Sequence, residues 1–274
     1  MAIVSFVKTK IKLNESSYHT SANHPRSIFD KLSLGTCVYF CLRFVAKLFE
    51  NRKLALANKL DTQTWAAKSM EMLEMVEDCG GKFHIEGLEN ILKSKEPVVF
   101  VGNHMSTLET MILPGLIASK REVTFVVKQS LMTHPLFGAV MRARKPIAVD
   151  RKNAAIDFKK VMLDGVENLK KNISVVIFPQ SHREIEFNPA HFNKMGIKLA
   201  KLAKVSIVPV AIKTDFWKNG KLIKDVGGLN RKEPIHIKFG EPIKINGSGN
   251  EEHQKVIDFI THNLAIWKKA NIIN

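Results

Sequence analysis

The sequence predicts an α/β fold: a mixed, mostly parallel sheet covered by helices on both faces, preceded by an N-terminal two-helix motif. Three observations carry that expectation. Apolar residues fill 45% of the 274 positions, enough for a substantial core in one large domain, or in one domain with an appendage. From residue 82 onward, short apolar runs alternate with segments of helical period. Runs such as Val98 to Val101 and Ile207 to Ile212 are apolar at consecutive positions, as strands buried on both faces require.

Residues 1–26 mix polar and small side chains with His19, His24 and Pro25, and read as an irregular lead. Within 27–49, aromatic and aliphatic residues crowd Val38 to Phe49. Thr36, Arg43, Lys47 and Glu50 fall on one helical stripe of the same segment. Such a helix suits a bilayer surface, with its basic edge toward headgroups, or a buried place against the main domain. The wide apolar arc and the basic chain favour the bilayer. Helix continues over 54–78, with Trp65, Met70, Leu73 and Val76 in helical register, until the CGGK turn at 79–82 stops it. The chain thus divides into a lead with two antiparallel membrane-associating helices, 1–80, and an α/β domain, 81–274.

In that domain, strands are expected at Lys82 to Glu86, Val98 to Val101, Val123 to Val127, Ile147 to Val149, Ser174 to Phe178, Ile207 to Ile212 and Ile235 to Phe239. Helices are expected at Leu108 to Ser119 (with Pro114), Leu136 to Met141, Asp157 to Lys171, Phe192 to Ala203 and Glu251 to Lys268. No internal repeat or low-complexity segment interrupts them. In sheets of this kind the chemistry lies on loops beyond the strand ends.

The formal charge is +16, from 42 basic and 26 acidic residues, and calls for an anionic partner. Only nine of the basic residues are arginine, the type suited to bidentate phosphate recognition. Cys37, Cys41 and Cys79 form neither a disulfide framework nor a zinc pattern, which points to a reducing compartment. The opening MAIVSFVKTKIK has too short an apolar stretch for a signal peptide, and no run approaches the roughly 20 apolar residues of a spanning helix. Charge alone would admit nucleic acid, but no binding motif or aromatic-basic interleaving accompanies it.

The stretch VGNHMSTLET, 101–110, places His104 and Glu109 where a strand stops. Five positions apart on a helix, they would diverge by about 140°. They meet only if His104 sits on the loop and Glu109 in the first helical turn. They then read as a general base and the carboxylate that orients it. Ser106 to Glu109 is equally a capping box, S-x-x-E, in which the glutamate closes the helix N-terminus.

Further blocks follow in order: KQSLMTHPLFG at 128–138, IAVDR at 147–151, FPQSHRE at 178–184 and IVPVAI at 207–212. With NHMSTLE at 103–109, they resemble the glycerolipid acyltransferases of the 1-acylglycerol-3-phosphate acyltransferase type. That family carries N-H-x-x-x-x-D, G-x-I-x-V-D-R, F-P-E-G-T-R and V-P-V blocks. The leading helices and I-E-G-L-E-N at 85–90 fit the same pattern, and the likeness spans roughly residues 35–245. Glu109 stands where aspartate is usual, Gln180, Ser181 and His182 where E-G-T is usual, and Lys145-Pro146 where a glycine is usual.

The resemblance implies transfer of a fatty acyl group from acyl-CoA or acyl carrier protein to a lysophospholipid hydroxyl, with 1-acyl-sn-glycerol 3-phosphate as the foremost acceptor. It implies His104 as base, Glu109 as its stabiliser and Lys128 as donor to the thioester oxygen, or else a surface lysine. Asn103, Arg151, Gln180, Ser181, His182 and Arg183 would bind substrate. The alternative for the two arginines is structural pairing with Asp150 or Glu184. No metal or resident cofactor is called for. The expected partners are the acceptor, the donor and an anionic membrane surface, and not nucleic acid. The expected location is peripheral or monotopic on the cytoplasmic face. The competing possibility is a non-catalytic lipid-binding relative, set against by the retained His104 and Glu109.

Overall fold

A computed structural model describes residues 16–180, 182–220 and 227–273. In chain order the elements are β1 (Ser17–His19), α1 (Ile28–Leu32), α2 (Val38–Leu56), α3 (Thr62–Asp78), β2 (Phe83–Glu86), β3 (Val99–Gly102), α4 (Leu108–Ala118), β4 (Val123–Lys128), α5 (Gly138–Arg144), β5 (Ile147–Val149), α6 (Ala154–Lys170), β6 (Ser174–Ile177), α7 (Met195–Ala203), β7 (Ile207–Lys213), β8 (Ile235–Phe239) and α8 (Asn250–Ile273). The strands form one sheet in the order β1-β2-β8-β7-β3-β6-β4-β5. The β1–β2 and β7–β8 pairs are antiparallel and the others parallel. The C-terminal ends of β7, β3, β6, β4 and β5 therefore lie along one edge of the sheet.

Period-two alternation divides the core. Phe100, Val176, Val208, Val210 and Ile212 face α2, α3 and α4. Val99, Val101, Val175, Ile177 and Ala211 face α6, α7 and α8. Helices thus cover both faces, as expected for strands apolar on both sides.

Three local departures from the expectation have identifiable causes. Ser17–His19 is not irregular: it adds an edge strand, pairing with Glu86 to His84. The segment 27–49 is broken between α1 and α2, where Leu34 and Gly35 both adopt positive φ. Helix is interrupted again before α3 by Asn58 at positive φ, and Asp61 restarts it by accepting from the Thr64 amide.

α4 holds a further device. Pro114 cannot donate, and Ser69 of α3 inserts into the helical ladder beside it. The Gly115 amide donates to Ser69 Oγ at 2.7 Å, and Ser69 Oγ donates to the Met111 carbonyl. Gly115 lets α3 come this close, since a Cβ there would lie 2.7 Å from Met70 Sδ and 2.9 Å from Ser69 Oγ.

On α2, Phe40, Phe44 and Leu48 face the core. The polar stripe does not face outward. Arg43 pairs with Asp78, Lys47 with Glu50 and Glu71, and Lys68 with Glu50 and Glu71, so the stripe binds α3. The order of these pairs confirms that the two helices run antiparallel. A different stripe is open: Val38, Leu42, Val45, Phe49 and Leu56 on α2, continuing into Ile28, Phe29, Leu32 and Leu34. Leu42 is 67% exposed and Leu34 90%. No helix among the described residues is long and apolar enough to cross a membrane.

Candidate active site

Five parallel strand ends bring the candidate residues to one edge. β3 ends at Gly102, where a Cβ would lie 2.9 Å from the Val210 carbonyl oxygen, so the chain passes tightly into the loop carrying His104. Asn103 fastens this exit. It is buried, its amide nitrogen donates to the Ile212 carbonyl at 2.8 Å, and its side-chain oxygen accepts from the Ile212 amide at 2.9 Å. Expected in the substrate-binding set, Asn103 instead spends both amide atoms on β7.

His104 Nδ1 lies 2.8 Å from Glu109 Oε1. The glutamate is fully buried in the first turn of α4. Oε1 also accepts from the amides of Met105 at 2.6 Å and Ser106 at 2.8 Å. Oε2 accepts from Thr214 Oγ1 at 2.6 Å, and Ser106 Oγ lies 2.9 Å from it. The capping and orienting readings of Glu109 therefore hold together: one carboxylate closes the helix start and holds the imidazole. Burial works to raise its pKa, but the hydrogen bond and charge of His104, with the Thr214 hydroxyl, outweigh it and keep the pKa below the ordinary carboxylate range. An ionised Glu109 requires the proton of neutral His104 on Nδ1, leaving Nε2 as the basic nitrogen.

The loop after β6 walls the imidazole. Phe178 stacks on it at 4.7 Å between centroids and 12° between planes. The side-chain oxygen of Gln180 accepts from the His104 amide at 2.7 Å, and the Glu184 amide donates to the His104 carbonyl at 2.9 Å. Gln180 Nε2 donates to Glu184 Oε2 at 2.9 Å, and Glu184 Oε1 lies 2.7 Å from His191 Nδ1. Gln180, a candidate for binding substrate, is thus buried and positions the His104 backbone. Its departure from the usual glutamate fits this place, because a second carboxylate there would face Glu184. Arg183 Nη1 donates to Thr107 Oγ1 at the start of α4. Ser181 lies outside the described residues.

Lys128, Ser130, Asp150, Arg151, Lys152 and His182 line one open cavity of about 620 Å³. Lys128 therefore shares the basic cavity with Arg151; the resemblance offered it as donor to the thioester oxygen or as a surface lysine. Arg151 adopts a left-handed backbone, φ +63°, that costs a non-glycine residue about 1–3 kcal/mol. Asp157 stabilises the turn: its carboxylate accepts from the amides of Asp150 at 3.0 Å and Arg151 at 2.8 Å. From β3 to β5 is three strand steps, about 14 Å at 4.8 Å each, which long cationic side chains narrow. The edge thus combines a base, Nε2 of His104, with a cationic cradle a short distance along it.

Sequence reasoning missed Thr214, Asp157, Lys152 and Ser130. An acidic residue in the first turn of a predicted helix, just after an arginine turn, was a usable signal for Asp157. Nothing local marked Thr214. Among the described residues, no group of three or more His, Cys, Asp or Glu side chains is placed to hold a metal.

Residues 82–213 match the family profile described as Acyltransferase. The chain is 29% identical over 188 residues to the 1-acyl-sn-glycerol-3-phosphate acyltransferase of Pseudomonas aeruginosa, covering 68% of each chain. It is 29% identical to the enzyme of that name from Cocos nucifera, covering 66% of this chain and 56% of that one. For the enzyme of that name from Saccharomyces cerevisiae, identity is 32% over 47% of this chain and 42% of the other. The fold matches the crystal structure of the 1-acyl-sn-glycerophosphate acyltransferase PlsC from Thermotoga maritima. The TM-score is 0.64 at 18% identity, covering 84% of this chain and 93% of that one.

Proposed function

We propose that this chain, which belongs to the glycerolipid acyltransferase family, moves a fatty acyl group from an acyl thioester to the free hydroxyl of 1-acyl-sn-glycerol 3-phosphate, giving phosphatidic acid. The observation that carries the proposal is the pinned His104–Glu109 pair beside a cavity lined by Lys128, Arg151, Lys152 and His182.

In the mechanism we infer, Nε2 of His104 takes the acceptor hydroxyl proton as its oxygen forms a bond to the thioester carbon. Glu109 stabilises the imidazolium. When the carbon–sulfur bond breaks, the departing thiolate takes that proton, so base and thiol are both restored neutral. A positioned general base contributes about 10²- to 10⁴-fold. Lys128 and Arg151 hold the acceptor phosphate through charge-assisted bonds, with Asp157 fixing the turn that presents Arg151.

The acceptor and product are lipids, and the open apolar stripe of α1 and α2 gives the enzyme a face for the bilayer surface. We assign the chain to the cytoplasmic surface of a membrane, held by that stripe and by attraction of its +16 charge to anionic lipid.

The test is an acyl-transfer assay over a panel of lysolipids, with acyl-CoA and acyl carrier protein as donors. His104→Ala should abolish transfer while leaving vesicle binding intact. Activity near wild type would remove the base assignment. Acceptance of uncharged lysolipids as readily as phosphate-bearing ones would remove the acceptor assignment.

A further inference from the structure

A second basic cavity lies on the other side of His104 from the first. β8 runs antiparallel to β7, and β2 parallel to β8, with His236 opposite Lys213 and Phe83 opposite Ile235. The N-terminal ends of β2 and β8 therefore meet the edge that carries His104. From β3 to β2 is three strand steps, about 14 Å at about 4.8 Å each, away from Lys128 and Arg151. There the segment 20–26, the turn at 79–82 and Arg231 enclose about 480 Å³.

The cations of this hollow come from four separate places in the chain: Arg26, Lys31 of α1, Lys82 and Arg231. Arg26 Nε and Arg231 Nη2 each donate at 2.8 Å to Asp30, a fully buried carboxylate that the two guanidiniums share. Among the described lining residues Glu77 is the one carboxylate, and it is spent, accepting from Tyr18 Oη at 2.6 Å and Thr20 Oγ1 at 2.5 Å. Lys82 Nζ donates to the neutral carbonyl of Ala22 at 2.9 Å. Among the described residues, neither Lys82 nor Lys31 lies within ion-pair distance of a carboxylate. His24 Nε2 faces Asp78 instead, at 3.7 Å. Four fixed cations thus surround one enclosed space with two carboxylates between them, an enclosure that lysines on open helix faces lack. Gly80, at φ +87°, keeps the space open: a Cβ there would lie 3.1 Å from Arg26 Cδ and 3.4 Å from Arg231 Cδ. Paired guanidiniums backed by lysines suit a phosphate.

The rim is apolar. Lys31 shares α1 with Ile28, Phe29 and Leu32, which are 66%, 63% and 69% exposed. Arg231 also donates to the carbonyls of Gly35 at 2.8 Å and Thr36 at 3.1 Å, so a cavity arginine holds the α1–α2 break beside exposed Leu34. A soluble phosphate compound would leave that rim in water. A phospholipid uses both parts, its phosphate in the hollow and its acyl chains along α1.

We propose that this cavity binds the phosphate of an anionic phospholipid of the bilayer, at a site separate from the one that takes the acceptor. The inference rests on the bilayer reading of α1 and α2 and adds a defined headgroup site to it. A lipid held there fixes the break between the two helices and turns the edge carrying His104 toward the headgroups.

The test compares Lys31→Glu, Lys82→Glu with Lys53→Glu, Lys59→Glu, which removes the same charge from exposed lysines flanking Leu56 of the apolar stripe. Both variants leave Asp30 its two guanidiniums. In co-sedimentation with vesicles of phosphatidylcholine and phosphatidic acid, the cavity variant should lose about 10-fold or more in affinity and the other about threefold or less. Lys31→Gln, which disturbs no hydrogen bond of the cavity, should lose affinity in the same sense. Equal losses in the two double variants would reduce the site to diffuse attraction, and no loss in the cavity variant would leave it without a role; either overturns the proposal. Calorimetry with dihexanoyl phosphatidic acid, which needs no bilayer, should show the cavity variant losing a bound lipid that Arg151→Ala retains. Displacement of that lipid by an equal concentration of inorganic phosphate would mark a free-phosphate site and overturn the headgroup assignment. If the parent does not bind vesicles, the bilayer reading fails, and the calorimetric result alone upholds or overturns the cavity.

Discussion

Glu109→Gln isolates what the charge behind the imidazole contributes. The glutamine carbonyl can occupy the Oε1 position and still accept from Met105, Ser106 and His104 Nδ1. Its amide group then faces the hydroxyls of Ser106 and Thr214, which rotate to accept. Fold and imidazole orientation survive, and only the negative charge facing the imidazolium is lost. A hydrogen bond to a charged group contributes about 1.5–3 kcal/mol, and about 1.4 kcal/mol is tenfold in rate. The turnover number should therefore fall about 10- to 150-fold, with KM for both substrates changing less than about twofold. Steady-state kinetics with a thermal melt on each protein measures this. A kcat within about threefold of wild type would refute the reasoning, as would a loss expressed wholly in KM.

Other outcomes follow from the same geometry. Arg151→Ala should raise the acceptor KM about 10- to 100-fold through loss of charge-assisted bonds, with kcat nearly unchanged; an unaltered KM would place the phosphate elsewhere. Ser69→Ala should cost about 2–3 kcal/mol in denaturant unfolding, because it strands the Gly115 amide and the Met111 carbonyl in a buried helix; a change under about 0.5 kcal/mol would mean the ladder recloses. The depressed pKa of Glu109 contributes stability that is present above the ordinary carboxylate pKa and lost as pH falls through its lower folded value. Acid unfolding followed by circular dichroism should hence be less steep in Glu109→Gln than in wild type, and identical profiles would contradict the linkage.

The alternation of strands and helices was legible because buried parallel strands leave unbroken apolar runs, and amphipathic helices leave a three-to-four spacing. Ser17–His19 was not, because three residues at a sheet edge carry no pattern of their own and are recruited by pairing with β2. The α1–α2 break turns on Leu34 entering the left-handed region, which its residue type does not announce. The stripe of Arg43, Lys47 and Glu50 was visible, but its direction was misjudged. Its complement, Lys68, Glu71 and Asp78, lies on the antiparallel neighbour and shows only once the two helices are aligned. In the site, His104 and Glu109 could be paired because they lie five positions apart at a strand end. Asn103 and Gln180 were grouped with the ligand contacts because adjacency in sequence does not reveal which way a side chain turns.

Thr214 grips the back of the dyad from a point 105 residues further along the chain, just past β7. While the protein is being made, His104 and Glu109 emerge long before the hydroxyl that secures the carboxylate. Until β7 slots in beside β3, that carboxylate lacks one of its donors, and the nascent polypeptide holds an unfinished proton acceptor. Completion of the proposed catalytic centre is thereby tied to one of the last long-range closures of the sheet, so partly made chains should be inert toward thioesters.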